Sequence, residues 1–363
     1  MEEFFGLTLS RLEAQIGALG KEKYRARQLF RWVYNQGNLD FREMTNIPKS
    51  LRSVFSEMFS LDTMPIAEQK PSRDGSTKLA LMTRDGHVIE VIIMPEKTRV
   101  TLCISTQIGC RMGCRFCVTG KIGFKRNLTA AEIVGQVITV REYLKKAGKS
   151  PLTNIVFMGM GEPMDNIDNV ACALDILKDQ SGLDLSYRKI TLSSVGLVDG
   201  LKTLSAKSAV IAISLNAVDD DTRSMLMPIN RLYSVGRIMD FVRGFKGTKR
   251  TRITFEYILI KGVNDSLDDA KRLADLLKGV KCKINLIPYN PSSYTEFERP
   301  DRDEVDRFHQ YLIDRHFTVI IRDSRGQDVG GACGQLGMSY LGNSPGPDAA
   351  SDEKETTDHE VTS

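Results

Sequence analysis

The stretch Val100-Thr101-Leu102-Cys103-Ile104-Ser105-Thr106-Gln107-Ile108-Gly109-Cys110-Arg111-Met112-Gly113-Cys114-Arg115-Phe116-Cys117 decides how the rest of the chain is read. It opens as an apolar run of strand character and ends in a loop whose thiols are spaced Cys-x3-Cys-x2-Cys. Three of the seven cysteines in the chain fall in this loop. Two structural readings compete with a chemical one: a zinc site, or thiols packed in a core. A structural zinc site takes a fourth ligand, normally from a second Cys or His pair. No such pair stands out, and the nearest histidine, His87, is alone. Three thiolates suit a 4Fe–4S cluster, which cysteine sulfur holds, and they leave its fourth iron free to bind a substrate.

Downstream of the loop, strand and helix patterns alternate, as in a parallel sheet or barrel. Strands are expected at 100–106, 154–158, 189–192, 209–215, 252–260 and 282–287, with a return through 317–321. Helices are expected at 130–147, 166–179, 235–245, 267–278 and 301–315, the first of them started by a capping box of Thr129 and Glu132. The reading is α/β with six βα units, and nothing in the spacing alone excludes a doubly wound open sheet. In a barrel, catalytic groups gather at the C-terminal ends of the strands. Cys110, Cys114 and Cys117 follow the first strand, Gly159-Met160-Gly161-Glu162-Pro163 follows the second, Ser193 ends the third, Ser214, Leu215 and Asn216 end the fourth, and Asn290 lies past the sixth. A short glycine motif by itself would mean no more than a tight turn.

Upstream, 76–98 reads as a β-hairpin turning at Arg84-Asp85-Gly86. Glu90 sits in its second strand among Val88, Ile89, Val91 and Ile92, where the pattern favours a solvent-facing position on an edge strand. Residues 1–75 read as a small helical domain: a helix from Leu9 that Gly20 ends, a second from Tyr24 to Asn35, and a third after Pro48. Lys21, Lys23, Arg25, Arg27 and Arg31 alternate with Tyr24, Phe30 and Trp32, a pattern that suits phosphate contacts and base stacking as well as an ordinary core.

Charge is uneven. Six acids against Lys354 give the segment from Asp348 to Ser363 a net of −5, so a chain of net +4 carries +9 elsewhere, which suits a polyanionic partner as well as a generic solvated surface. That acidic segment reads as disordered. No apolar run reaches about 18 residues, and the N-terminus has an acidic pair where a secretory signal carries positive charge. An odd cysteine count concentrated in one loop is no secreted disulfide framework. The expectation is a cytoplasmic protein without a membrane segment.

The motif and its surroundings resemble the radical S-adenosylmethionine superfamily and, within it, the RlmN/Cfr family of RNA adenine methyltransferases. The resemblance rests on 101–110, Arg115-Phe116-Cys117, Gly123-Phe124-Lys125-Arg126-Asn127-Leu128 and Gly331-Ala332-Cys333-Gly334-Gln335-Leu336, and it runs from about residue 8 to about residue 340. It implies a partial (β/α)6 barrel at 100–322, a helical RNA-docking accessory domain at 1–75, a hairpin extension at 76–99, a catalytic cysteine loop at 323–342 and a tail at 343–363. It implies a 4Fe–4S cluster on Cys110, Cys114 and Cys117, and S-adenosylmethionine bound by Gly161, Glu162, Ser193, Ser214, Leu215, Asn216 and Asn290. Many relatives have His where this chain has Asn216, and Asn can likewise donate and accept hydrogen bonds.

The resemblance further implies that Cys333 carries the methyl group as S-methylcysteine, that Cys103 resolves the adduct through a transient disulfide, and that Glu90 accepts a proton. Taken alone, either cysteine would pass for a buried core thiol, as Cys172 and Cys282 do. The implied product is 2-methyladenosine in 23S rRNA and, beside the anticodon, in tRNA, made by a monomer with a flavodoxin-like electron donor. A Cfr-type enzyme would modify carbon 8 with the same cysteines. A non-catalytic Fe–S RNA-binding module is the reading from another class, and reductive cleavage of S-adenosylmethionine separates it from an enzyme.

Overall fold

The computed structural model describes residues 1–207, 209–245 and 252–338. The acidic segment 343–363 lies outside them. Ten strands form one sheet: β1 Ile66–Pro71, β2 Thr77–Met82, β3 Val88–Pro95, β4 Val100–Cys103, β5 Asn154–Phe157, β6 Ile190–Ser194, β7 Val210–Ser214, β8 Ile253–Leu259, β9 Cys282–Pro288 and β10 Val319–Ile321. Their order in the sheet is their order in the chain. A doubly wound sheet reverses direction at a switch point, so the unbroken order decides the ambiguity in favour of a partial barrel.

From β4 onward every pairing is parallel, whereas β1 to β4 pair antiparallel. Parallel strands need a crossover, and helices supply it: α4 Ala130–Lys146, α5 Ile167–Lys178, α6 Val198–Ser205, α8 Val235–Gly244, α9 Leu267–Leu276 and α10 Arg302–Ile313, with the short α7 Asp220–Leu226 after β7. From β4 to β9 most strand residues are buried, including all seven of β8. The capping box at Thr129 and Glu132 is present as expected.

The N-terminal segment is helical, with α1 Leu9–Ala18, α2 Tyr24–Phe30 and α3 Lys49–Met58. Gly20 adopts φ +68°, a left-handed stop that favours glycine. Phe4, Phe30, Tyr34, Phe55 and Phe59 are fully or almost fully buried in its core. Phe30 is therefore core, not a stacking platform, while Tyr24 stays exposed with the Arg25 guanidinium 4.5 Å over its ring. The helical reading of 1–75 also extends too far: Ile66–Pro71 is a strand that adds a third antiparallel member to the expected hairpin. Its sequence, with Glu68, Gln69 and Lys70 in the middle, gives no apolar alternation, because it is an exposed edge strand.

Candidate active site

The C-terminal ends of the parallel strands surround a cavity lined by Cys110, Cys114 and Cys117, by Gly159, Gly161 and Glu162 after β5, by Ser193 and Ser194 of β6, by Ser214 of β7, and by Cys333. The cysteine loop is shaped by glycines at φ +70° (Gly109) and +66° (Gly113). At Gly109 the requirement is absolute, since a Cβ would stand 1.6 Å from the Gly123 carbonyl oxygen. Arg115 then donates its amide to Leu226, tying the loop to the end of α7.

Burial pushes the Cys110 thiol up to about 12 and that of Cys114 well above its usual value, the neighbouring thiols adding to the effect; burial also raises Cys117. Three thiols held neutral at one wall become ligands only when a cationic centre offsets the cost of ionising them. Three cysteine sulfurs are the usual protein ligands of an Fe–S cluster, in which each binds a different iron, whereas a structural zinc site takes four protein ligands. The donor set fits a cluster.

Glu162 is 3% exposed and accepts hydrogen bonds from the amides of Val195 (2.9 Å) and Met164 (3.0 Å). Burial pushes its carboxyl up to about 7 against those bonds. Ser193 Oγ donates to the Phe157 carbonyl at 2.8 Å, stapling β6 to β5 at the rim. Below the cavity the fully buried Arg223 donates to the carbonyls of Val195, Ser214 and Leu215.

Three expected lining residues do not line the cavity. Leu215 and Asn216 are fully buried behind it. Asn216 has φ +59°, which Asn tolerates better than most residues. Its Oδ1 accepts from the Ile258 amide at 2.9 Å and its Nδ2 donates to Met227 Sδ, so the side chain stitches β7 to β8. Asn290 donates through Nδ2 to Ser324 Oγ (2.8 Å) and to the Cys333 carbonyl (3.2 Å), while its buried Oδ1 accepts nothing from the protein.

Cys333 belongs to the loop after β10 and is exposed toward the cavity it lines. The surrounding protein still raises its thiol to about 11 by burial, with Arg322 acting the other way and Glu256 and Cys117 adding to the rise. Cys103, at the end of β4, is buried; burial first, and then its neighbour Cys333, push it up to about 12. Both thiols are free. Glu90 is 1% exposed, which corrects the solvent-facing pattern reading: β2 and β4 flank its strand, so β3 is no edge, and Lys78 and the Gly337 amide meet its carboxylate.

Sequence reasoning passed over Glu256 and Arg322, which both line the cavity. Glu256 Oε1 accepts from Asn285 at 2.9 Å, and its buried Oε2 has no hydrogen-bond donor, with Arg322 3.9 Å away. An acid in the otherwise apolar Ile253-Thr254-Phe255-Glu256-Tyr257-Ile258-Leu259 of a doubly covered strand was the available signal. The orphaned acceptor on Glu256 suits a ligand that offers hydroxyl or ammonium donors.

Residues 3–61 match the model of the ribosomal RNA large subunit methyltransferase N-terminal domain, and 104–277 match that of the radical SAM superfamily. A dual-specificity RNA methyltransferase RlmN of Geobacter sulfurreducens is 47% identical, over 93% of this chain and 92% of that protein. The chain belongs to the RlmN family. Its RlmN relative from Geotalea uraniireducens is 45% identical over 91% of this chain and 94% of that protein. Among solved structures, a radical SAM methyltransferase from Sphaerobacter thermophilus superposes with a TM-score of 0.87 at 41% identity, covering 93% of this chain and 99% of that one. Membership in the RlmN family and the radical SAM superfamily makes the chain an enzyme that works with a 4Fe–4S cluster and S-adenosylmethionine.

Proposed function

We propose that this chain methylates carbon 2 of adenine in RNA, taking both 23S rRNA and tRNA as substrates, through a methyl group carried on Cys333. One observation carries the reading: Cys333 and the three loop thiols line the same cavity although more than two hundred residues separate them. Carbon 2 lies between two ring nitrogens and is electron-poor, so it does not attack a sulfonium methyl, but a carbon radical adds to it. When bound, the cluster and S-adenosylmethionine supply radical chemistry.

Cys110, Cys114 and Cys117 would hold the cluster, and Gly161, Glu162, Ser193 and Ser214 would bound the S-adenosylmethionine, with Leu215, Asn216 and Asn290 supporting those walls. Cys333 would carry the methyl group; a hydrogen atom taken from it by the radical that the bound cofactors supply would leave a sulfur-bound methylene radical to add to carbon 2. Glu90 would accept the proton that leaves carbon 2, and the adduct's odd electron would return to the redox cofactor. The Cys103 thiolate would then attack the Cys333 sulfur, so that a sulfur–sulfur bond replaces the sulfur–carbon bond and the departing methylene carbon takes a proton to become the methyl group of the released base. Gly331, two residues before Cys333, packs against Ile92, the strand partner of Cys103, and this contact supports the step.

Adenine reaches the cavity only by leaving its stack. The exposed Lys21, Lys23, Tyr24 and Arg31 of the helical segment suit contacts to the RNA backbone. The remaining parts of the reading are a monomer, a flavodoxin-like electron donor and a cytoplasmic setting that protects the cluster. Among the described residues no helix is long and apolar enough to cross a membrane. Mass analysis of nucleosides from RNA treated with the anaerobically reconstituted enzyme tests the proposal: 2-methyladenosine is expected, and 8-methyladenosine or no product would overturn it.

A further inference from the structure

Lys78 on β2 is 3% exposed, a rare position for lysine, and no step above uses it. Its ammonium stands 3.2 Å from Glu90 Oε1, the two side chains being 3% and 1% exposed. In the β2–β3 register Lys78 pairs with Ile92, which places Glu90 on the adjacent diagonal of the same face. Both partners also bond the loop that carries Cys333. Lys78 Nζ lies 3.5 Å from the Gly330 carbonyl, and Glu90 Oε2 accepts from the Gly337 amide at 2.7 Å. Between these two feet Gly331 lies so close to β3 that a Cβ there would be 2.4 Å from Ile92 Cδ1.

Burying an ion pair adds little stability by itself, since desolvation offsets the attraction. What this pair does geometrically is hold a donor toward one foot of the loop and an acceptor toward the other. We infer that Lys78 is a positioning residue for the Cys333 thiol, holding Gly330 directly and Gly337 through Glu90 so that the intervening loop presents the thiol to the cavity. The inference rests on Cys333 being the methyl carrier.

Polarity separates a latch from a mere brace. Exchanging the charges keeps the attraction between positions 78 and 90, but it turns an acceptor toward the Gly330 carbonyl and a donor toward the Gly337 amide. The test uses the full, cluster-reconstituted chain in three forms: Lys78→Met, Lys78→Arg, and Lys78→Glu combined with Glu90→Lys. The measurements are amide hydrogen exchange across 330–337, cluster absorbance, and the mass of the Cys333 peptide after incubation with S-adenosylmethionine. In Lys78→Met, exchange at Gly337 should rise about tenfold or more, as loss of a charge-assisted hydrogen bond allows. The amides of β5 to β8 and the cluster absorbance should hold, S-methylation of Cys333 should fall in parallel, and Lys78→Arg should recover both. The exchanged pair should fold and show the same loosened loop, and it carries the test alone if Lys78→Met does not fold. Wild-type exchange at 330–337 in either variant, or wild-type S-methylation in the exchanged pair, would overturn the inference. If the unaltered chain places no methyl on Cys333, the carrier reading fails instead, and the exchange data still decide whether the latch exists.

Discussion

The amide of Val118 donates to the carbonyl of Gly334 across 2.7 Å, so the residue after the last loop cysteine grips the residue after Cys333. Thr119 Oγ1 adds a second bond to the Leu336 carbonyl at 2.7 Å. On the Cys333 side both bonds use backbone atoms and survive removal of the thiol. Cys333→Ala is therefore expected to keep its cluster absorbance and lose RNA methylation altogether. Methylation that persists would show that this thiol carries nothing.

Cys103 lies under the Cys333 loop at the end of β4, with Val156 and Ile92 as its strand neighbours. On the proposed mechanism Cys103→Ala removes the group that frees the product and leaves the preceding steps intact. Protein covalently joined to RNA should accumulate on denaturing gels, and recovery of only free enzyme and free RNA would count against the assigned role.

In the cluster-free protein, burial lifts the Cys333 and Cys103 thiols to about 11 and about 12. Only the thiolate reacts with an alkylating reagent. At pH 8 Cys333 should react on the order of a hundredfold more slowly than free cysteine, and its rate should climb about tenfold per pH unit until about pH 10. Peptide mapping after timed iodoacetamide treatment measures this, and rapid labelling at pH 7 would show the thiol to be far less shielded.

Glu162 has its carboxyl raised from 4.5 to about 7 by burial. The folded state therefore keeps a proton that the unfolded state releases above about pH 4.5. The resulting contribution to stability is complete below that pH and is lost as the pH rises through 7; at its largest it is about 3 kcal/mol. Denaturant titrations of the cluster-free protein at pH 5 and pH 8 should differ by an amount that Glu162→Gln reduces. An unchanged difference would assign the slope to other groups.

Gly161 adopts φ +97°, and a Cβ there would stand 2.5 Å from the Gln107 Cβ. Gly161→Ala should cost roughly 1–3 kcal/mol of stability through backbone strain, and it should displace the Gln107 side chain that accepts from the Glu162 amide. Weaker S-adenosylmethionine binding in equilibrium dialysis is the expected result. Unimpaired binding would remove this turn from the site.

Much of the molecule was legible because its signals are local. Strand and helix patterns from 100 onward, the capping box at Thr129 and the thiol spacing all depend on neighbours within a few residues. What escaped notice depends on partners far along the chain. Ile66–Pro71 is a strand only because β2 offers it an edge. Glu90 looked solvent-facing because its strand pattern says nothing of Lys78 or Gly337. Asn216 was expected at the cavity wall, yet its left-handed backbone turns its amide toward β8 and Met227, a preference that no spacing encodes. Glu256 and Arg322 needed the cavity itself to give them meaning.

Because each strand joins the sheet beside the one made just before it, a polypeptide emerging from the ribosome can extend the barrel one crossover at a time. The loop bearing Cys333 breaks that rule: Asp328 returns to Ser72 and Arg73, and Gly326 to Asp74, contacts between the late and early parts of the described chain. On the proposed reading, radical chemistry thus acquires its outlet only after translation has passed the last strand, and a stalled, unfinished product would have the thiols meant for the metal but no carrier with which to mark RNA.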